Sequence, residues 1–258
     1  IDYINHLALF QYIGGLLIWF FLLFLLEQYL ASSKNLSYFE KKYFLGYFVI
    51  LSLFAIVRIY TNYLPYTLDT KTYLSVAESI SQKNEFYFFG AFLYSSFIYI
   101  IQAITFNNHY AILFINNFIF IIALIDLLGM IPSNQKKSLW LWSSFLFLYP
   151  SIYWFIPNVL REAVFFLCLV RVLKHSILIK NSRLISYNSI LLVIFSILCV
   201  ALRPQVLPMI YLWVTFMLFK KSIFNLIFVL LFGLILLSND FITSEYLNKV
   251  SFEYLEAK

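Results

Sequence analysis

Apolar residues run through this chain in long blocks separated by short polar turns, the pattern expected when each segment must satisfy its own backbone hydrogen bonds as a helix. The blocks lie at 7–26, 43–57, 86–106, 110–130, 139–156, 163–179, 184–202, 206–219 and 224–237. Crossing about 30 Å of hydrocarbon takes roughly 20 apolar residues, and the blocks reach or approach that length. No period-two alternation interrupts them, which argues against a membrane β-barrel. The pattern predicts an all-α, polytopic integral membrane protein with about nine transmembrane helices, forming one domain over residues 1–258.

One polar interval is long enough to fold on its own, the loop 58–85. Within it Tyr73, Val76, Ala77 and Ile80 follow i, i+3, i+4, i+7 spacing, opposite Thr72, Ser75, Glu78 and Ser79. That spacing predicts a short amphipathic helix lying on the membrane surface. A second amphipathic stretch, 239–258, forms the tail.

Composition closes off the soluble alternatives. The chain is 63% hydrophobic and 12% charged, with 30 Phe and 20 Tyr, and no soluble globule of this size can hide so much apolar surface. Its formal charge of +6 sits in short loops, so it reads as a topology signal rather than a nucleic-acid surface. The chain begins at Ile1, which suggests a trimmed or incomplete sequence. Its first block lacks a small-residue cleavage site and reads as a retained helix.

Lysines and arginines assign the faces. Lys136 and Lys137, then Lys174, His175, Lys180 and Arg183, then Lys220 and Lys221 mark cytoplasmic loops. Pro157 to Glu162, Arg203-Pro204 and the tail then fall outside. The loop 34–42 also reads as cytoplasmic, placing 58–85 outside. Three blocks separate that loop from Arg161, an odd number, so one of them must be re-entrant or broken. The block 110–130 is the expected irregular one, because Asn116 and Asn117 interrupt it and Asp126 lies near its end.

Few residues are placed for chemistry. Cys168 and Cys199 fall inside predicted spans with no CxxC motif, and read as packing residues. His6, His109 and His175 are scattered, so no metal site and no cofactor is expected. Arg171, Lys174, His175 and Leu178 form a stripe suited to anchoring at anionic headgroups, and Trp140, Trp142 and Trp154 suit an aromatic belt.

The polar islands that remain are sharper. Asp69 precedes the predicted surface helix, where a carboxylate either caps the helix or acts as a general base on a sugar hydroxyl; one side chain can do both. Pro157, Asn158, Arg161 and Glu162 stand between two apolar runs, where charges are expensive. Arg161 at a helix start suits an anion such as phosphate, or an interfacial anchor. Glu162 points about 100° away from it. Arg203, in ALRPQ, is a second guanidinium on the same predicted face, and Arg58 a third positive charge beside the long loop.

Taken together, DTKTYLSVA with Asp69, Tyr73 and Ala77, YPSIYWFIPNVLREA with Pro150, Ser151, Trp154, Arg161 and Glu162, and LRP at Arg203 and Pro204 resemble polytopic glycosyltransferases of the GT-C type. The same islands resemble bacterial surface-polysaccharide (O-antigen-like) polymerases. The resemblance implies an enzyme of the bacterial inner membrane that takes sugar from a polyprenyl phosphate or diphosphate carrier. It implies Asp69 as base, Arg161 and Arg203 on the carrier phosphate, and Glu162, Tyr73, Asn158 and Arg58 as further substrate contacts. The chain is shorter than many such enzymes and lacks the acidic pair of their metal-dependent members. A lipid or glycolipid transporter would use the arginines without Asp69, and a structural subunit would use neither.

Overall fold

The computed structural model describes residues 2–33, 35–61, 68–83, 91–131, 161–179 and 187–219. Among these the regular structure is entirely helical: α1 Asp2–Ser32, α2 Tyr38–Thr61, α3 Leu68–Lys83, α4 Ala91–Ile104, α5 His109–Gly129, α6 Glu162–Ile179, α7 Tyr187–Leu202, a 3-10 turn Pro204–Val206, and α8 Leu207–Phe219. The predicted blocks 139–156 and 224–237, and the tail 239–258, lie outside the described residues. Among the described residues two helices are long and apolar enough to cross a membrane, within Gln11–Ser32 and Tyr110–Gly129. The residues group into two compact units, one built from α1–α5 and the start of α6, the other from Cys168 onward.

In the first unit α5 is the central helix, packed by α1, α2 and α4. It runs parallel to α1 in constant register: Asn108 Nδ2 donates to the Gln11 carbonyl at 2.9 Å, and Tyr29 Oη donates to Asp126 Oδ1 at 2.9 Å, each pair 97 residues apart. Eighteen residues of shared register amount to roughly 27 Å of helix. Gly14 and Gly15 permit the close approach, since a Cβ at Gly14 would lie 2.9 Å from Asn108 Nδ2 and one at Gly15 3.1 Å from Tyr110. At the other end Asn35 Nδ2 reaches the Gly129 carbonyl at 3.4 Å.

A capping box opens α2. The Ser37 backbone N–H donates to the Glu40 carboxylate, and the Glu40 N–H donates to Ser37 Oγ. Lys41 Nζ donates to the Ala31 carbonyl, Phe48 stacks on Trp19, and Ile56 lines a recess with Tyr12, Gly15 and Tyr110. Helix α2 is therefore antiparallel to α1 and finishes at the Gln11 end. Phe20, Phe21 and Phe24 of α1 and Leu53, Phe54 and Val57 of α2 are left exposed, the outward apolar face that a lipid-facing helix presents.

The expectation for 110–130 is overturned. Helix α5 passes through Asn116, Asn117 and Asp126 without a break, because two of the three polar side chains find donors or acceptors on neighbouring helices: Asn116 on Tyr94 and Asp126 on Tyr29. The short element is α4, whose 14 residues cover about 21 Å. It reverses at Phe106 and Asn107, both with φ in the left-handed region (53° and 57°). The reversal meets α1 where Gln11 Nε2 donates to the Asn107 carbonyl at 3.3 Å. Helices α2 and α4 thus end at the same end of the bundle, and the chain between them makes no net crossing of it.

Helix α3 has the expected amphipathic faces, with Tyr73, Ala77 and Ile80 buried and Thr72, Ser75 and Glu78 exposed. Its apolar face is occupied by α4 rather than left for a membrane surface, and the Tyr73 and Tyr94 rings meet edge to face at 5.0 Å.

In the second unit the end of α6 and the body of α7 pack as an antiparallel pair. His175 Nδ1 is 3.1 Å from Asn188 Oδ1, and its ring stacks on Phe195 at 5.8 Å. His175 is buried, so it serves helix packing rather than the headgroup stripe expected of it. Cys168 and Cys199 are both buried free thiols, close enough to interact with each other.

Candidate functional site

The first unit carries a buried polar cluster at the junction of α3, α4, α5 and α6. Asn116 Nδ2 donates to the Tyr94 hydroxyl at 2.8 Å, and both residues are 0% exposed. Asn116 is the eighth residue of α5, about 12 Å from the Gln11 end. Tyr73, one face of α3, closes the cluster from one side through its ring contact with Tyr94. Glu162, the first residue of α6, approaches from another, close enough for its carboxylate and the Tyr94 hydroxyl to couple electrostatically. The Phe120 and Phe166 rings, one turn farther along their helices, pack at 5.6 Å and hold the start of α6 against α5. Ser95 and Ser96 of α4 are buried beside Tyr94 in sequence.

Tyr73 and Glu162, 89 positions apart in the numbering, are brought to the same tyrosine. Arg161 directly precedes α6 and is half-buried; its carbonyl accepts from the Phe165 N–H at 2.8 Å, opening the helix. Asp69 is the second residue of α3, inside its first turn rather than ahead of it, and one helical turn before Tyr73. Its side chain, like that of Arg58 near the end of α2, lies outside the described side chains, and Asn158 lies outside the described residues. Arg203 belongs to the second unit, where its N–H donates to the Cys199 carbonyl and its own carbonyl accepts from the Val206 N–H as α7 gives way to the 3-10 turn.

Tyr94 and Asn116 were not expected as site residues. Tyr94 is an aromatic in an aromatic-rich block and carries no local signal. Asn116 did carry one, a polar side chain in an apolar helix, which sequence alone reads equally well as an interruption. A separate recess at the Gln11 end, lined by Tyr12, Gly15, Leu16, Ile56, Tyr110 and Phe114, presents mainly apolar surface.

Among the described residues no group of three or more His, Cys, Asp or Glu is arranged to hold a metal ion. The cluster gathers a hydroxyl, a carboxamide and a carboxylate beside aromatic faces. The chain matches no protein-family model, no curated protein and no solved structure.

Proposed function

We propose that this chain is a polytopic enzyme of the bacterial inner membrane, with about nine spans, that transfers a sugar or oligosaccharide from a polyprenyl phosphate or diphosphate carrier during cell-surface glycan assembly. The observation that supports the reading is that the Tyr73 ring meets the Tyr94 ring and the Glu162 carboxylate couples electrostatically to the Tyr94 hydroxyl. It brings the Asp69 helix and the Arg161-Glu162 helix start, the two sequence islands the reading depends on, to one polar cluster.

In this reading the loop 34–42 and the end of α5 face the cytoplasm, and the Gln11 end faces outward. Helices α3 and α4 enter from the outer side and return to it, which resolves the odd count of blocks between the long loop and Arg161. The acceptor hydroxyl attacks the anomeric carbon, the bond from that carbon to the carrier phosphate breaks, and the hydroxyl proton passes to Asp69. Arg161 stabilises the charge on the departing phosphate, where a fixed guanidinium in a water-poor site acts most strongly. Glu162 and Tyr73 orient the sugar.

The test is transfer from carrier-linked sugar by purified protein, with bound lipid read by mass spectrometry. Asp69→Asn is expected to retain carrier lipid and lose transfer by at least about 100-fold. Arg161→Ala is expected to lose both. Full transfer by the Asp69 variant sinks the base assignment, and retained lipid with no transfer by the wild type favours a transporter.

A further inference from the structure

The chain has two cysteines, Cys168 and Cys199, and the fold turns them toward each other across the α6–α7 pair. His175 sets the register. Its Nδ1 lies 3.1 Å from Asn188 Oδ1, and its ring stacks on Phe195 at 5.8 Å. Asn188 and Phe195 are two turns apart along one face of α7, and Leu192, fully buried, stands between them opposite the histidine. Because the helices are antiparallel, two turns back along α6 match two turns forward along α7. Two turns before His175 is Cys168, and two turns after Leu192 is Cys199. Both thiols are buried and free, and they are close enough to interact, as that register requires.

Packing alone does not call for two thiols at this point, since small apolar residues fill such a space equally well. Among the described residues no third His, Cys, Asp or Glu joins them to make a metal site. What two facing thiols can do is bond to each other. A disulfide needs its Cα atoms within about 7 Å, and side chains this short touch across a helix pair only when the backbones come nearly that close. Cys168 is the seventh residue of α6, about 9 Å from its start, and Cys199 is one turn from the end of α7. The pair therefore lies near the helix ends, where a small apolar oxidant reaches it.

We propose that Cys168 and Cys199 are a redox pair that closes to a disulfide, stapling α6 to α7. The oxidant is a low-molecular-weight disulfide. One cysteine loses its proton and attacks a sulfur of the oxidant, breaking the S–S bond there; a mixed disulfide forms and the first small thiol leaves. The second cysteine, also deprotonated, attacks the first cysteine's sulfur, forming the Cys168–Cys199 bond and releasing the second small thiol. Two electrons pass from the protein to the oxidant, and the two protons leave on the released thiols. Closed, the pair holds α6 two turns from Glu162; open, α6 is tied to α7 by packing and the His175–Asn188 contact. In the proposed membrane arrangement this end of both helices faces outward, the side on which bacterial proteins keep disulfides.

The test uses the full chain in lipid nanodiscs, held below its unfolding temperature and treated with dipyridyl disulfide, with intact mass and thermal unfolding as readouts. The wild type is expected to lose two hydrogens and to carry no pyridyl adduct. It is also expected to melt at least about 4 °C higher than the reduced protein, the increment of a staple closing a loop of roughly 30 residues. Dithiothreitol is expected to reverse both changes. Cys199→Ser/Val200→Cys, which moves one thiol about 100° round α7, is expected to close at least about tenfold more slowly. A wild type that collects two adducts, or that stays a dithiol, overturns the inference. So does a shifted pair that closes as fast as the native one, since the bond then reports chain motion rather than facing thiols. The mass change is read on the wild type, so a shifted variant that folds poorly leaves the inference open to refutation. The transferase reading is untouched by these outcomes, because it stands or falls on transfer from the carrier.

Discussion

The Asn116 carboxamide donates to the Tyr94 hydroxyl at 2.8 Å across the α4–α5 interface, with both side chains fully buried. A bond of this kind is worth more to specificity than to raw stability, because its loss strands a polar group where nothing else can solvate it. Tyr94→Phe is expected to cost about 0.5–2 kcal/mol, the range for buried and intramembrane pairs. Asn116→Leu is expected to cost a similar amount, and the double variant less than the sum of the two. Thermal or denaturant unfolding of the three variants measures the coupling, and strict additivity would mean the pair does not interact.

Gly14 makes a complementary prediction about the α1–α5 seam. An added Cβ there would sit 2.9 Å from Asn108 Nδ2, displacing a side chain that both caps α5 through Tyr110 N–H and ties it to the Gln11 carbonyl. Gly14→Ala is expected to destabilise by about 1–2 kcal/mol, the scale of a lost cap plus a lost hydrogen bond. Gly46 of α2 has nothing within 4 Å of its would-be Cβ, so Gly46→Ala is expected to stabilise by up to about 1 kcal/mol through helix propensity alone. Opposite signs for the two substitutions in one unfolding assay check the packing. Equal signs would argue against the close approach of α1 to α5.

The helices were legible because their signal is local. The blocks at 43–57, 110–130, 163–179 and 206–219 all fall within or almost on α2, α5, α6 and α8, since an apolar run in the absence of alternation leaves little other choice. The amphipathic faces of α3 were legible for the same reason. What the faces packed against was not, because Tyr73 shows its apolar character in the sequence but not its partner Tyr94, 21 positions away. Asn116 and Asp126 misled for a related reason. A polar side chain inside an apolar run reads as a break until its partner is known, and Tyr94 and Tyr29 are supplied by other helices. The Cys168–Cys199 pair and the buried His175 are further products of tertiary register, set by how α6 and α7 align rather than by motif spacing.

In the proposed membrane arrangement the course of α4 decides which face the polar cluster meets. Asn107 at the α4–α5 reversal lies beside Gln11, while Asn35 at the α1–α2 turn lies beside Gly129, at opposite ends of a parallel helix pair. Single cysteines at these positions, in a Cys168→Ser/Cys199→Ser background, therefore report which face each end occupies. Intact cells exposed to a membrane-impermeant maleimide are expected to label Asn107→Cys, and to label Asn35→Cys only after permeabilisation. A cysteine at Ser133 or Asn134, beside the Lys136-Lys137 pair, is expected to behave like the one at Asn35, because α5 then crosses once and the positive loops stay inside. If Asn107→Cys is protected in intact cells and Asn35→Cys is labelled, the assigned sidedness is inverted. The buried cluster then faces the cytoplasm, and a carrier-linked donor presented at the outer face no longer reaches it. If both are labelled from one side, α1 and α5 do not cross, and the polytopic reading of the first unit fails with them.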